Sequence, residues 1–246
     1  MPLLIFGILI LKNHSTTPQK PKAEDFSPTP IGINNSIEVD GFTVSWFEID
    51  NIDNLKLIPN FSEKLSSKEV IQKNNCKLLS NGPFYATNEN GNHPLGLFIT
   101  NGDRFYPWSE NSLFDGILSI NEMAIPRITR LVPEDKLNIA IQAGPILKEN
   151  NSFQTLKIQN DSESRRVVAL ITGTNKLFFM TIYDKNSQYS GPLLTNLPNV
   201  LKSFEQKSGI VFADAINLDG GSASSFHSES IHLSEISPTG AFFCQL

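Results

Sequence analysis

Short turn signals recur between apolar stretches along this chain, and that punctuation constrains its fold more than any other feature. Asp40-Gly41 separates Ile37 and Val39 from Phe42, Val44 and Trp46. Asn101-Gly102 separates Leu97-Phe98-Ile99 from Arg104-Phe105-Tyr106, and Gly173-Thr174-Asn175 separates Val167–Ile171 from Leu177–Ile182. Asn-Gly and Asp-Gly supply the positive φ that tight hairpins need, and apolar runs on both sides identify the flanks as paired strands. Ile117–Ile120 and Ala124–Ile128 read as a further strand pair, and Asn138–Ile141 as a short strand that Gln142 to Pro145 interrupts. A strand from Cys76 to Leu79 feeds Asn81.

Helical signals are few. Ser66 and Glu69 have capping-box spacing and predict a short helix through Asn74. Leu197, Val200, Leu201 and Phe204 fall on one helical face, with Asn196 placed to cap its start and Gly209 to end it. The expectation is an α+β fold, a mostly antiparallel β-sheet core with about two packed helices.

Residues 2–11 form an apolar run, too short to span a bilayer, which needs roughly 20 apolar residues. It resembles the hydrophobic part of a signal peptide, although Lys12 follows the run instead of preceding it. An apolar strand packed on the domain is the other reading. Residues 13–30 hold four prolines and little apolar character, as an extended linker does. The expected division is an apolar N-terminal segment with a Pro-rich linker over residues 1–35 and a single domain over 36–246, in a secreted, periplasmic or membrane-anchored protein. Cys76 and Cys244 could pair after export; two buried free thiols is the reading the sequence favours.

A net charge of −5 and a pI near 5.4 argue against a nucleic-acid groove, which needs a basic stripe. Two cysteines, four histidines and no C-x-x-C or H-E-x-x-H pattern argue against structural zinc. No cofactor or metal is expected, although carboxylate-held calcium or magnesium is open on sequence grounds.

The segment Asn217-Leu218-Asp219-Gly220-Gly221-Ser222-Ala223-Ser224 carries the chemistry. Ala215, Ile216 and Leu218 read as a buried strand that delivers Asp219 to a sheet edge, and the glycines let backbone approach a ligand. N–H groups in such a loop can cup an anion, which suits a phosphate or a sugar; an ordinary tight turn is the competing reading.

Other fragments fall in order with this one. Asn81-Gly82-Pro83-Phe84-Tyr85, Pro94-Leu95-Gly96-Leu97 with Asn101-Gly102-Asp103, Gln142-Ala143-Gly144-Pro145-Ile146-Leu147 and Ser164-Arg165-Arg166-Val167-Val168-Ala169 precede the Asp219 loop. Together they resemble the motifs of the phosphodiester glycosidase family, from about Ile37 to the C-terminus. Ala169 stands where that family has glycine, and Pro83 where it has a small residue.

The resemblance implies a hydrolase that cleaves a sugar-1-phosphodiester at the glycosidic carbon, acting on cell-envelope glycans or related sugar phosphates. A non-catalytic glycan-binding module and an ordinary two-carboxylate O-glycosidase are the alternatives. The partner is a sugar phosphodiester or glycan, with no nucleic acid and with transient membrane targeting through the N-terminal segment. Asp219 is the candidate carboxylate at the anomeric carbon, Arg165 the candidate phosphate-binding fork, and Asn81 an amide that bridges sugar hydroxyls or holds the Asp219 loop. Gly82, Gln142, Gly144, Gly220, Gly221 and Ser222 are the candidate substrate-binding positions. Arg166 is expected on the opposite strand face from Arg165. His93 and His227 are weaker candidates for a general acid, and Asp103 and Asp214 are spare carboxylates.

Overall fold

The computed structural model describes residues 35–88 and 91–246. The apolar run and the Pro-rich stretch lie outside the described residues. Among those described, every strand pairing is antiparallel, and two α-helices accompany the sheets, so the α+β expectation holds.

A seven-stranded sheet runs in the order Ser36–Val39, Phe42–Glu48, Leu177–Asp184, Arg166–Ile171, Asp214–Asn217, Ile146–Glu149, Ser152–Phe153. A second sheet runs Pro126–Thr129, Gly116–Asn121, Leu137–Ala143, Phe98–Thr100, Asp103–Tyr106. A third runs His232–Leu233, Phe226–His227, Leu78–Asn81, Ala241–Gln245, Leu55–Pro59. Tyr85–Asn88 and Gly91–Pro94 form a separate hairpin.

Arg166–Ile171 explains the layering. Its alternate residues face opposite ways. Val167, Ala169 and Ile171 join the core with Phe47, Phe179, Phe226 and Phe243. Val168 and Leu170 join a second core with Val200, Leu201 and Phe204 of helix α2 (Leu197–Ser208). A strand buried on both faces reads as a continuous apolar run, as Val167–Ile171 does. Trp46 meets the Phe204 ring edge-on at 4.9 Å, which fixes α2 against the sheet.

Helix α1 (Ser67–Asn74) carries the expected capping box: Glu69 N–H donates to Ser66 Oγ, and Ser66 N–H donates to Glu69 Oε2. Helix α2 starts differently from expectation. A 3-10 turn, Leu194–Asn196, runs directly into it, and Asn196 makes no side-chain cap. Asp161 takes that role for the turn, accepting from Leu194 N–H at 3.0 Å and Thr195 N–H at 2.8 Å. Gly209 ends α2 in the left-handed region, φ 75°, as expected.

The expectation of two free thiols is overturned. Cys76 and Cys244 form a disulfide, with their Cα atoms 5.4 Å apart. Leu79 and Leu78, next along the strand, pair with Cys244 and Gln245, so the third sheet brings the two cysteines together across a separation of 168 residues. No described helix is long and apolar enough to cross a membrane.

Candidate functional site

Strand Asp214–Asn217 ends at the loop that carries Asp219. The backbone then threads between two neighbours. Leu218 N–H donates to Val167 O at 2.8 Å, Asp219 N–H to Gly82 O at 3.3 Å, and Gly221 N–H to Arg165 O at 2.9 Å. Gly221 takes φ 62°, where a side chain is strained, and opens the short 3-10 turn Gly221–Ala223. A Cβ on Gly220 would lie 3.1 Å from Arg165 O, so the loop passes that carbonyl closely.

Asn81 ties both ends of the loop together. Its Nδ2 donates to Asp219 O at 2.6 Å, and its Oδ1 accepts from Ser225 N–H at 3.0 Å. Of the two functional roles the sequence suggests for this amide, its bonds correspond to holding the loop. Gly82 shares in the same contact, with its N–H bonded to Ala241 O and its carbonyl to Asp219 N–H.

Asp219 is only partly open to solvent, and burial pushes its carboxyl up to about 7, with the Gly220 N–H pulling the other way. Tyr85 lies near enough to feel its charge: burial first, then Asp219, push the Tyr85 phenol up. The Tyr85 hydroxyl donates to Pro238 O, which fixes the ring. No described cation moderates the Asp219 carboxylate.

Arg165 is placed otherwise than as a phosphate-binding fork. It is completely buried. Its Nε donates to Ser224 Oγ at 2.7 Å, Nη1 to Gln188 O at 2.9 Å, and Nη2 to Ser224 O and to Ser234 O. Burial lowers its pKa, against Tyr189, Glu235 and Tyr183, so its electrostatic neighbours do not include Asp219. Its guanidinium holds the far end of the Asp219 loop to the chain around Ser234. Arg166, on the other face, donates from Nε to Pro192 O at 3.0 Å and pairs through Nη2 with Asp161 at 3.4 Å. Its Nη1 lies 3.8 Å from where a Cβ on Gly220 would be, beside the loop.

Asn81, Arg165 and Asp219 are thus gathered at one loop, although the first two support its backbone. Gln142 is engaged elsewhere. Its Oε1 accepts from Leu97 and Ser109 N–H, and its Nε2 donates to Ser109 O and Phe114 O, which uses its full hydrogen-bonding capacity. A side chain at Gly96 would collide with this amide. Gly144 exchanges bonds with Asn217 just before the loop and passes so close to Leu113 O that a Cβ would lie 2.5 Å from it. Ser222 is engaged with the chain opposite: its carbonyl accepts from Ile236 and Ser237 N–H, and its hydroxyl meets Ser237 Oγ at 2.9 Å.

His227 is buried, bonded through Nε2 to Ser67 Oγ at 2.9 Å, and held neutral, with its pKa pushed down to about 4 by burial. His93 stands on the Tyr85–Asn88 hairpin, stacked on Tyr106. Asp214 accepts from Asn150 N–H, and Asp103 is exposed on its hairpin. Among the described residues no group of three or more His, Cys, Asp or Glu is placed to hold a metal ion.

Sequence reasoning missed Tyr85 as a neighbour of Asp219 and Ser224 as the acceptor for Arg165. Both lie inside fragments already singled out, Tyr85 ending the Asn81 fragment and Ser224 ending the Asp219 loop, so proximity to those motifs was the available signal. Asp161 had none, because it acts on residues more than 30 positions away.

A family model described as phosphodiester glycosidase matches residues 74–241. No curated protein matches the sequence. Among solved structures, the fold resembles the catalytic domain of zebrafish N-acetylglucosamine-1-phosphodiester alpha-N-acetylglucosaminidase, auto-inhibited by pro-peptide, with TM-score 0.62 and 15% identity over 87% of this chain and 81% of that one. It also resembles a hypothetical protein from Synechocystis, with TM-score 0.61 and 12% identity over 86% of this chain and 61% of that one. A Burkholderia pseudomallei protein described as exported gives TM-score 0.53 and 10% identity over 83% of this chain and 74% of that one.

Proposed function

The chain belongs to the phosphodiester glycosidase family, and on that premise we propose that it hydrolyses a sugar-1-phosphodiester at the glycosidic carbon, with Asp219 as the reacting carboxylate. The observation that carries this reading is a carboxyl group tuned to about 7, with no described counter-cation, on a loop held by Asn81 and Arg165. A general base works best when its pKa lies near the working pH.

In the proposed reaction water attacks the anomeric carbon while the bond from that carbon to the phosphate oxygen breaks. The electron pair leaves with the phosphomonoester, and the proton lost by water passes to the Asp219 carboxylate. The leaving phosphate is stable as an anion, so protein-donated acid is not required at that side. A charged leaving group beside the loop would face Arg166, whose Nη1 lies 3.8 Å from where a Cβ on Gly220 would be. Arg165 is assigned a positioning role, because its donors already hold Ser224, Gln188 and Ser234.

The disulfide and the likeness to an exported Burkholderia protein support an extracytoplasmic setting. There, glycosyl phosphates of the cell envelope are the proposed substrates, and residues 36–246 the proposed catalytic domain. Hydrolysis of a nucleotide-sugar in oxygen-18 water tests the chemistry. Label in the released sugar is expected; label in the phosphate would make the protein an ordinary phosphodiesterase.

A further inference from the structure

A cleft of about 380 Å³ opens between helix α1 and the His227–His232 hairpin. That volume is in the range of small-molecule sites. Helical spacing puts Lys68 and Gln72 on the α1 wall, and the hairpin supplies the other. The floor is apolar, made by Ile71 and the Cys76 end of the disulfide.

The rim is polar and mostly basic. Lys68, Lys77, His232 and Glu229 line it; Lys77 Nζ also donates to Leu246 O at 3.3 Å, and Glu235 lies close by, accepting from Ser67 N–H at 2.7 Å. That is a local reversal in a chain of net charge −5. Charge from the same side reaches the buried His227. After burial, His232, Lys68 and Arg165 hold its pKa down, opposed by Glu235. An apolar floor with a basic rim matches a pyranose that carries a negative group: the ring's C–H face lies on the floor and the anion meets the ammonium groups.

None of the residues lining the cleft belongs to the Asp219 loop. His227 pairs with Leu79, whereas Asn81, two residues further along the same strand, holds Asp219. We propose that this cleft is a second, non-catalytic subsite for an anionic sugar, one bearing a phosphate or a carboxylate.

The test is an NMR titration of the histidine rings of the full chain with glucose 6-phosphate, glucuronate and neutral glucose. Saturable shifts of His232 and His227 are expected with at least one anionic sugar, and an upward move of the His227 titration from about 4. The two arms distinguish phosphate from carboxylate. Lys68→Glu with Lys77→Glu should weaken that binding by at least ~10-fold, since each lysine contributes a charge-assisted contact. Turnover of a sugar phosphodiester should be unchanged in this double variant. Absence of saturable shifts with both anions, equal binding of glucose, or full affinity in the double variant would each overturn the assignment. The readout is binding, so it stands whether or not the chain proves to hydrolyse a phosphodiester.

Discussion

Two ionisable groups in this molecule are treated in opposite ways. Lys148, on the α2 side of the large sheet, is 2% exposed. Its Nζ meets Glu205 Oε1 at 2.6 Å and lies 4.4 Å over the Phe153 ring, and Glu205 Oε1 also accepts from Phe212 N–H. Asp219 has only the Gly220 N–H against its burial. A scaffold charge is matched on the spot, because an unmatched one would destabilise the fold. An unmatched carboxyl is a feature the fold does not require, and the proposed role of Asp219 in substrate chemistry would account for it.

Replacing the unmatched charge gives the largest expected effect. Asp219→Asn should lower phosphodiester turnover by at least ~10³-fold, about 4 kcal/mol of transition-state stabilisation. The same change should raise the melting temperature at pH 8. Between about 4 and about 7 the native Asp219 still holds a proton that the unfolded chain has released, so its contribution to stability falls as pH rises through that window. The gain from Asp219→Asn over the parent should therefore shrink toward zero near pH 4. A variant that is inactive but no more stable at pH 8 would make Asp219 an ordinary, matched carboxylate. Using the difference between the two proteins matters, because His227 works oppositely: its pKa is depressed, so its stability is lost as pH falls from about 6.5 through about 4.

Breaking the matched pair should cost stability and leave chemistry alone. Lys148→Ala strands the Glu205 carboxylate and is expected to cost about 3 kcal/mol in denaturant unfolding. Lys148→Met with Glu205→Gln should recover much of that loss. Equal turnover per folded molecule in all three proteins would keep the two regions distinct.

The smallest expected effect sharpens the boundary between them. Arg165→Lys keeps the charge but cannot reach Ser224, Gln188 and Ser234 together. A fall in turnover of about 10- to 100-fold is expected, with a lower melting temperature, because the loop loses several charge-assisted bonds at once. A rise in KM alone, with stability unchanged, would return Arg165 to the phosphate.

The strands were legible because their signals are local. Asn101-Gly102 turns its hairpin and Ser66 with Glu69 caps its helix through atoms a few residues apart. The Asp219 loop was legible as a loop for the same reason. What its supports do was not. Arg165 lies before a strand like any substrate-facing arginine, and only the arrival of Ser224 and Ser234, about 60 to 70 residues later, shows where its donors go. Gln142 reads as a substrate-binding position, yet its partners come from Leu97, Ser109 and Phe114, none visible in its own motif. The disulfide escaped because Cys76 and Cys244 become neighbours only through sheet order.

That sheet order also dictates timing. Ala241–Gln245 is not an edge strand: it lies between Leu78–Asn81 and Leu55–Pro59. While the ribosome is still short of Gln245, the strand that carries Asn81 lacks this neighbour, and Cys76 has no thiol to meet. Until that strand arrives, the Asp219 loop lacks part of its anchorage on the Asn81 side, so the order of the third sheet sets when the loop can take its final shape.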